Sequence, residues 1–211
     1  STSSGSPLAT PPTTKNTAFA VVGYHLMVKT TGGGDDWSNT TAGGNTGYTG
    51  ALSGQTPFNG RGDMTSIAFD PNNSNRYILS NADYGNYLTT DGGSTFSKLT
   101  AVGYCRGTVI DPVVDSDILL SITGASGYFN NYIKRSTNEG ASWTQVGGDG
   151  RPLSFIMFDA VDSNKVYTNW FKSTDKGLTW SSFADTTKKI ASVYKQGTHI
   201  YATTLSGSTL T

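Results

Sequence analysis

The chain has 211 residues, charged residues make up only 14% of it, and its formal net charge is zero. A neutral chain has no general attraction for nucleic acid or an anionic membrane surface, and no apolar run approaches the length of a membrane span. Abundant Gly, Ser and Thr with many aromatic residues and little charge are typical of an extracellular all-β protein. Cys105 is the only cysteine, so it forms no intrachain disulfide, and we expect a buried, inert thiol.

Taken in order, the chain begins with a segment rich in Ser, Thr and Pro, residues 1–16, which is predicted to be a linker or an extended lead-in. Short apolar segments of strand length then alternate with turn residues, and no segment has the period of a helix. Strands are predicted at 18–22 and 25–29, followed by a long Gly-rich surface loop at 40–60. Similar repeats then begin near Met64, Gly107 and Ser154, and a last, incomplete one begins near Ile190.

An eight-residue motif, Ser/Thr-x-Asp-x-Gly-x-x-Trp/Phe, closes each whole repeat. It occupies residues 89–96 and 173–180, has Asn in the Asp position at 136–143, and is present in a worn form at 30–37. The Asp or Asn side chain folds onto nearby backbone N–H groups, the Gly adopts a conformation that other residues resist, and the aromatic ring packs beneath the turn. The predicted structural residues are Asp91, Gly93, Phe96, Asn138, Gly140, Trp143, Asp175, Gly177 and Trp180.

This motif resembles the Asp-box (BNR) repeat of sialidases, sortilin-type receptors, photosystem assembly factors and xyloglucan-degrading hydrolases. The resemblance covers about residues 17–211 and implies an all-β propeller of four-stranded antiparallel blades, with each box between the third and fourth strands. The three box aromatics lie 47 and 37 residues apart, near the ~40–50 residue pitch of propeller repeats. We expect about four to five blades, partial at both ends. The chain ends could join, a second chain could complete the ring, or, as we favour, the chain is a piece of a larger propeller.

Loops between the second and third strands of each blade lie opposite the boxes, on the face where propellers usually bind ligands. Their aromatic residues are the predicted ligand-binding residues: Tyr84, Tyr87, Tyr128, Phe129 and Trp170. Flat aromatic faces beside Asn and Asp suit a sugar ring, whose C–H faces stack while its hydroxyls form hydrogen bonds. The alternative is that these rings pack the loops against one another.

The candidate catalytic residue is Asp83. Residues 62–71 and 81–87 resemble the opening blade of xyloglucanase-type endoglucanases, in which an Asp-x-Gly-Gly-x-Tyr loop carries a catalytic Asp. Asp83, Gly85 and Tyr87 lie near that spacing, whereas Asn86 and the shorter loop depart from it. The resemblance implies inverting hydrolysis of a β-glucan, with a second Asp supplied by another propeller. An Asp that caps its own loop is the alternative.

Three classes of function therefore remain open. They are a secreted glycoside hydrolase, a non-catalytic propeller that binds a glycan or a protein, and a structural component of an extracellular assembly. Asp must carry any acid–base chemistry, because the chain has fourteen Asp and a single Glu, Glu139, inside a box. His25 and His199 lie in alternating apolar segments, so we predict no metal site and no cofactor.

Overall fold

The structure is a computed structural model that describes residues 8–22, 26–39, 64–82, 85–99, 104–112, 119–126, 129–159, 161–183, 188–196 and 199–206. These residues form strands and turns, and no helix occurs among them. In this part of the chain there is accordingly no apolar helix of the length needed to cross a bilayer. The predicted all-β class is confirmed.

Four four-stranded sheets and one hairpin make up the described fold. The first sheet contains β1 (Leu8–Ala9), β2 (Ala18–Val22), β3 (Leu26–Thr30) and β4 (Ser38–Asn39). The second contains β5 (Met64–Asp70), β6 (Asn73–Asn81), β7 (Gly85–Thr89) and β8 (Ser97–Lys98). The third contains β9 (Cys105–Ile110), β10 (Leu119–Ser126), β11 (Phe129–Ser136) and β12 (Thr144–Gly150). The fourth contains β13 (Ile156–Phe158), β14 (Val166–Thr168), β15 (Phe171–Ser173) and β16 (Ser181–Ser182), and the hairpin pairs β17 (Lys188–Gln196) with β18 (His199–Ser206).

The sheets are the blades of a β-propeller. Each is an antiparallel meander whose strands are hydrogen-bonded in chain order. The first strands of successive sheets contact one another, β1 with β5, β5 with β9, and β9 with β13. Sheets that meet along their first strands in this way are arranged around a common axis. The expectation of four to five blades corresponds to four complete blades and the hairpin.

The first blade begins earlier than the sequence indicated. Leu8 and Ala9 pair with Ala20 and Phe19, so a strand lies inside the segment predicted to be a lead-in. A two-residue strand is held by its backbone, and its Ser/Thr/Pro-rich surroundings carry no alternating pattern that would reveal it.

The cores lie between blades. Inner strands alternate buried and half-buried side chains, as in Ile156–Phe158. The core between the second and third blades contains Ala68, Ile78, Leu99, Ile110 and Leu119, with Leu88 and Trp143 packed against it. The core between the third and fourth blades contains Leu120, Ile122, Ile133, Leu153, Ile156, Phe158, Val166 and Phe171, with Val109, Val146, Trp170 and Trp180 packed against it. Each blade therefore buries its apolar face against the next blade.

Aromatic rings fill the junction between the first and second blades. The Phe19 ring centroid lies 5.3 Å from that of Phe69, which in turn lies 4.8 Å from Tyr77. Phe96 meets Tyr77 edge-on at 5.8 Å. Tilted and edge-on pairs at such separations are the favoured aromatic geometries.

Candidate functional site

The antiparallel blades separate two faces of the molecule. Connections between first and second strands and between third and fourth strands lie at one end of each blade. That end is the box face, with the turns at 70–73, 89–96, 136–143, 159–165 and 173–180. Connections between second and third strands, and those leading to the next blade, lie at the opposite end. That end is the loop face, which includes residues 149–155 and 169–170.

We call the turns at 89–96, 136–143 and 173–180 the box turns. On the box face, the box turn at 173–180 is closed by side-chain hydrogen bonds. Asp175 Oδ1 accepts from the Ser173 hydroxyl at 2.7 Å and from Thr179 N at 2.8 Å. Its Oδ2 accepts from the Thr179 hydroxyl at 2.5 Å. The Ser173 oxygen in turn accepts from Gly177 N at 2.9 Å. Every one of these bonds spans at most four residues, so the turn holds its own shape.

The other two box turns repeat this geometry. Asp91 accepts from Thr89 and Thr95 at the same positions. Asn138 Oδ1 accepts from Ser136 and from the Ser142 N–H, while its amide nitrogen donates to the Ser142 hydroxyl. The worn copy keeps part of the pattern, because Gly34 N donates to the Thr30 hydroxyl at 3.1 Å.

These hydrogen bonds stabilise the charged form of the two acids. Bonds from Thr95 and Thr89 lower the pKa of Asp91 to about 2. Burial opposes the charge of Asp175, but bonds from Thr179 and Ser173 outweigh it and leave its pKa below the usual value. A carboxylate bonded in this way is a poor proton donor or acceptor at neutral pH.

The glycines and aromatics of the motif complete each turn. Gly93, Gly140 and Gly177 have φ of 96°, 85° and 76°, the left-handed region that glycine favours. The indole N–H of Trp143 and that of Trp180 each donate to the carbonyl of the turn glycine at 3.0 Å. Phe96 is buried. The indole rings of Trp143 and Trp180 and the ring of Phe96 are thus bonded or packed within the fold.

On the loop face, an ion pair lies over aromatic rings. Asp149 Oδ2 accepts from Arg151 Nε at 2.7 Å and lies 2.6 Å from its Nη2. The guanidinium carbon lies 5.2 Å from the Trp170 ring centroid and 5.3 Å from that of Phe171. The side chains of Arg151 and Asp149 are nevertheless 38% and 44% exposed. We call Asp149, Arg151 and Trp170 the loop-face triad.

Neighbouring polar groups hold the triad in place. The Trp170 indole N–H donates to Pro152 O at 3.0 Å. Asn169 Oδ1 accepts from Ser154 N at 2.5 Å, and its amide nitrogen lies 2.6 Å from the Ser154 hydroxyl. The hydrogen bond from Arg151 lowers the pKa of Asp149. The connection into the fourth blade is therefore fastened to the loop between its second and third strands.

Beneath the loop face, a buried polar network joins the second and third blades. Ser121 Oγ accepts from the Asn86 amide at 3.1 Å and from the Thr108 hydroxyl at 3.0 Å. Cys105 Sγ lies 3.1 Å from the same oxygen, and Ser80 bonds Thr108. The thiol is fully buried. Cys105 therefore packs within the fold.

The predicted ligand-binding residues have different environments. The Trp170 ring is half-buried between the inter-blade core and Arg151. Tyr87 is fully buried with Lys98 Nζ 6.0 Å from its ring centroid, so it packs within its blade, the alternative that the sequence left open. Asp83, Tyr84 and Tyr128 lie outside the described residues, as does the side chain of Phe129, which begins β11.

Sequence reasoning missed Asp149 and Arg151. The Asp-x-Arg spacing at the end of an outer strand was the available signal, but the pair has meaning only beside Trp170, which lies 19 residues beyond Arg151. The described part of the chain contains no cluster of three or more His, Cys, Asp or Glu that could hold a metal ion.

Solved structures share this fold. An ancestral GH74 enzyme is 20% identical with a TM-score of 0.68, and the match covers 87% of this chain and 25% of that one. The GH74 xyloglucanase of Xanthomonas campestris is 18% identical with a TM-score of 0.64, over 90% and 32% of the two chains. An auxiliary nutrient binding protein of Bacteroides thetaiotaomicron is 16% identical with a TM-score of 0.57, over 94% and 41%.

These similarities show the fold alone, because all three identities are low. The chain spans only a quarter to two fifths of the length of those proteins. No protein-family model and no curated protein sequence matches the chain.

Proposed function

We propose that this chain is a carbohydrate-binding propeller of a secreted protein, and that a neutral β-glucan binds on its loop face. The observation that carries the proposal is the loop-face triad, a half-exposed Asp149–Arg151 pair lying over Trp170. The three box turns are, in this proposal, Asp boxes with a structural role. The xyloglucanase-type propeller of similar fold supports the choice of ligand class.

The triad has the chemistry that sugar hydroxyls require. A guanidinium can donate several hydrogen bonds in one plane to sugar oxygens, and the carboxylate beside it can accept hydrogen bonds from sugar O–H groups. Neighbouring hydroxyls of a sugar ring can therefore bind to a donor and an acceptor in turn. Stacking on Trp170 and Phe171 fixes the plane of Arg151 before any ligand arrives. A group held in its binding orientation loses little conformational entropy on binding.

Charge favours a neutral glycan over an acidic one. Asp149 contacts Arg151 through both Nε and Nη2, which offsets the positive charge of the guanidinium. The chain as a whole also has no net charge with which to attract an anionic polymer. Binding to xyloglucan or mixed-linkage β-glucan should therefore exceed binding to polygalacturonate.

Affinity measurements with these three polymers test the proposal. Arg151→Ala should weaken xyloglucan binding by at least tenfold, and Trp170→Ala should do the same because it removes the plane beneath Arg151. Lys172→Ala is the matched control, since Lys172 is an exposed cation of the same blade. No binding by the folded wild-type chain, or equal loss in the control, would contradict the proposal.

Hydrolysis is the second candidate function, and Asp83 is its candidate catalytic residue. The flanking residues Asn81 and Gly85 pair at the end of blade two that faces away from the box turns. Inversion needs a second carboxylate ~6.5–9.5 Å away, which in this hypothesis comes from another propeller of a longer protein. Asp149 is a weaker candidate because its ion pair with Arg151 lowers its pKa.

The two candidates give different results with one variant. If the full protein hydrolyses β-glucan, Asp83→Asn should lower turnover by about a hundredfold or more while binding is kept. If the chain only binds glycan, reducing-sugar assays show no turnover and Asp83→Asn changes affinity by a few-fold at most. Neither binding nor turnover would favour the structural role in an extracellular assembly.

A further inference from the structure

A charged residue of the fourth blade reaches into the third blade on the box face. Lys176 follows the central Asp175 of its box turn, and its Nζ lies 3.3 Å from Asp111 Oδ2. Asp111 directly follows the first strand of the third blade, and its side chain is fully buried, whereas that of Lys176 is 22% exposed. Arg135 of the third blade also donates to the Lys176 carbonyl at 3.0 Å. The turn is thus attached to the preceding blade.

The junction before it has the same contact with opposite charges. Glu139 follows the central Asn138 of the third blade, and its Oε1 lies 3.1 Å from Arg76 Nη2 of the second blade. Arg76 is buried and bonds Asp70 of its own blade at 2.8 Å. In one junction an acidic box residue meets a cation, and in the next a basic box residue meets an acid.

The register shows that Asp70 and Asp111 occupy equivalent positions in their blades. Tyr77 pairs with Phe69 just before Asp70, and Leu119 pairs with Ile110 just before Asp111. Arg76 directly precedes Tyr77 in the second blade.

The residue after the centre of each turn has the same unusual backbone conformation. All four residues that follow the centre of a turn have positive φ, namely Gly33 at 80°, Gly92 at 72°, Glu139 at 56° and Lys176 at 58°. A left-handed conformation is unfavourable for a residue with a side chain. Glycine stands there in the first two blades. A charged residue occupies the site at the two junctions where it meets an opposite charge.

The adjacent glycine fixes how closely the turn approaches. A Cβ on Gly140 would lie 2.7 Å from Leu99 of the second blade, and a Cβ on Gly177 would lie 2.6 Å from Leu120 of the third. The tips of the box turns at 136–143 and 173–180 therefore lie close against the preceding blade, and Glu139 and Lys176 lie beside those contacts.

We infer that, in the box turns of the third and fourth blades, the residue after the central Asn138 or Asp175 is a junction residue, whose charge is matched to the preceding blade. The charge of the junction residue favours packing of its blade against the correct preceding blade. Glu139 of the third blade meets Arg76 of the second, and Lys176 of the fourth blade meets Asp111 of the third. Exchanging the two residues would place like charges together at both junctions.

The double exchange Glu139→Lys with Lys176→Glu tests this inference, because it preserves composition, net charge and the two backbone sites. We expect its urea midpoint to fall well below that of the wild type. Lys176→Glu alone should raise the unfolding equilibrium constant by at least tenfold, since Asp111 is buried. Asp111→Asn should recover part of that loss. Lys172→Glu is the matched control and should have little effect.

Wild-type stability in the double exchange would overturn the inference, as would a failure of Asp111→Asn to recover any stability. If the exchanged protein does not fold, a cycle of Lys176→Met and Asp111→Asn replaces it. Non-additive effects of at least threefold in the unfolding constant support the matched junction, and additive effects contradict it.

Discussion

The box face and the loop face of this propeller are made from the same strands but follow different rules. On the box face, Asp91, Asn138 and Asp175 accept the same hydrogen bonds from residues at the same spacing. On the loop face, the described connections differ from blade to blade, and the Asp149–Arg151 pair belongs to the fourth-blade junction. The turns of the box face thus repeat one hydrogen-bond pattern, whereas the described connections of the loop face share no such pattern.

The difference concerns where polar groups find partners. Box carboxylates are engaged by their own turns, and the aromatics beneath them pack into inter-blade cores. Arg151 and Asp149 remain about two fifths exposed although they are bonded to each other. Substitutions on the box face should therefore change stability, and those on the loop face should change binding.

The largest expected effect comes from the core beneath a box turn. Trp180→Ala should lower the free energy of unfolding by about 3 kcal/mol, because the ring packs against the core between the third and fourth blades. Trp37→Ala is the matched control, since Trp37 makes the same indole bond, to Gly34, but is 43% exposed. Urea denaturation of both variants measures the difference. Equal losses would show that the ring of Trp180 is not a core anchor.

A smaller effect is expected from the turn itself. Asp175→Ala removes the acceptor of three hydrogen bonds and should cost about 1–2 kcal/mol. Asp175→Asn should cost much less, because Asn138 makes the corresponding bonds in the third blade. Thermal unfolding of the two variants separates loss of hydrogen bonds from loss of charge. An Asn variant as unstable as the Ala variant would contradict this explanation.

The acid dependence of stability should sharpen the contrast further. The pKa of Asp91 is about 2 in the folded protein against an ordinary value of 3.8. A depressed folded pKa stabilises the protein above the ordinary value, and this contribution is lost as the pH falls from about 4 through 2. The urea midpoint, measured at pH 7, 4 and 2, should decrease between pH 4 and pH 2. In Asp91→Asn this decrease should be smaller. An unchanged profile in Asp91→Asn would assign the dependence to other acids.

The smallest effect on stability is expected on the loop face. Asp149→Asn should change the free energy of unfolding by less than about 1 kcal/mol, because the pair is surface-exposed and screened. The same variant should weaken glycan binding if the proposed function is right. A large loss of stability with unchanged binding would reverse the roles assigned to the two faces.

Local signals made the propeller predictable. Each box turn is encoded within eight consecutive residues, so its Asp or Asn, its glycine and its aromatic can be recognised without knowing the fold. The repeat spacing then supplies the blades. The strand at Leu8–Ala9 escaped prediction because its partners, Phe19 and Ala20, hold it through the backbone alone.

The candidate site was less predictable because its parts are brought together by packing. Trp170 was recognised as an aromatic loop residue, but its contact with Arg151 depends on how the connection into the fourth blade folds back. Glu139 was interpreted as a solvated turn residue, and its side chain is indeed 54% exposed, yet it lies beside Arg76 of another blade. Contacts between residues of different blades cannot be recognised from the local sequence pattern.

The short span of the box hydrogen bonds has a consequence for how the chain reaches its structure. The bonds in these turns join residues no more than four positions apart, and the strands of each sheet pair with their neighbours in sequence. Local pairings of this kind have a small loop-closure cost and form early. Each meander should therefore appear as a unit before the blades dock. The amides of Gly140 and Gly177, buried in such turns, should exchange with solvent more slowly than exposed turn amides.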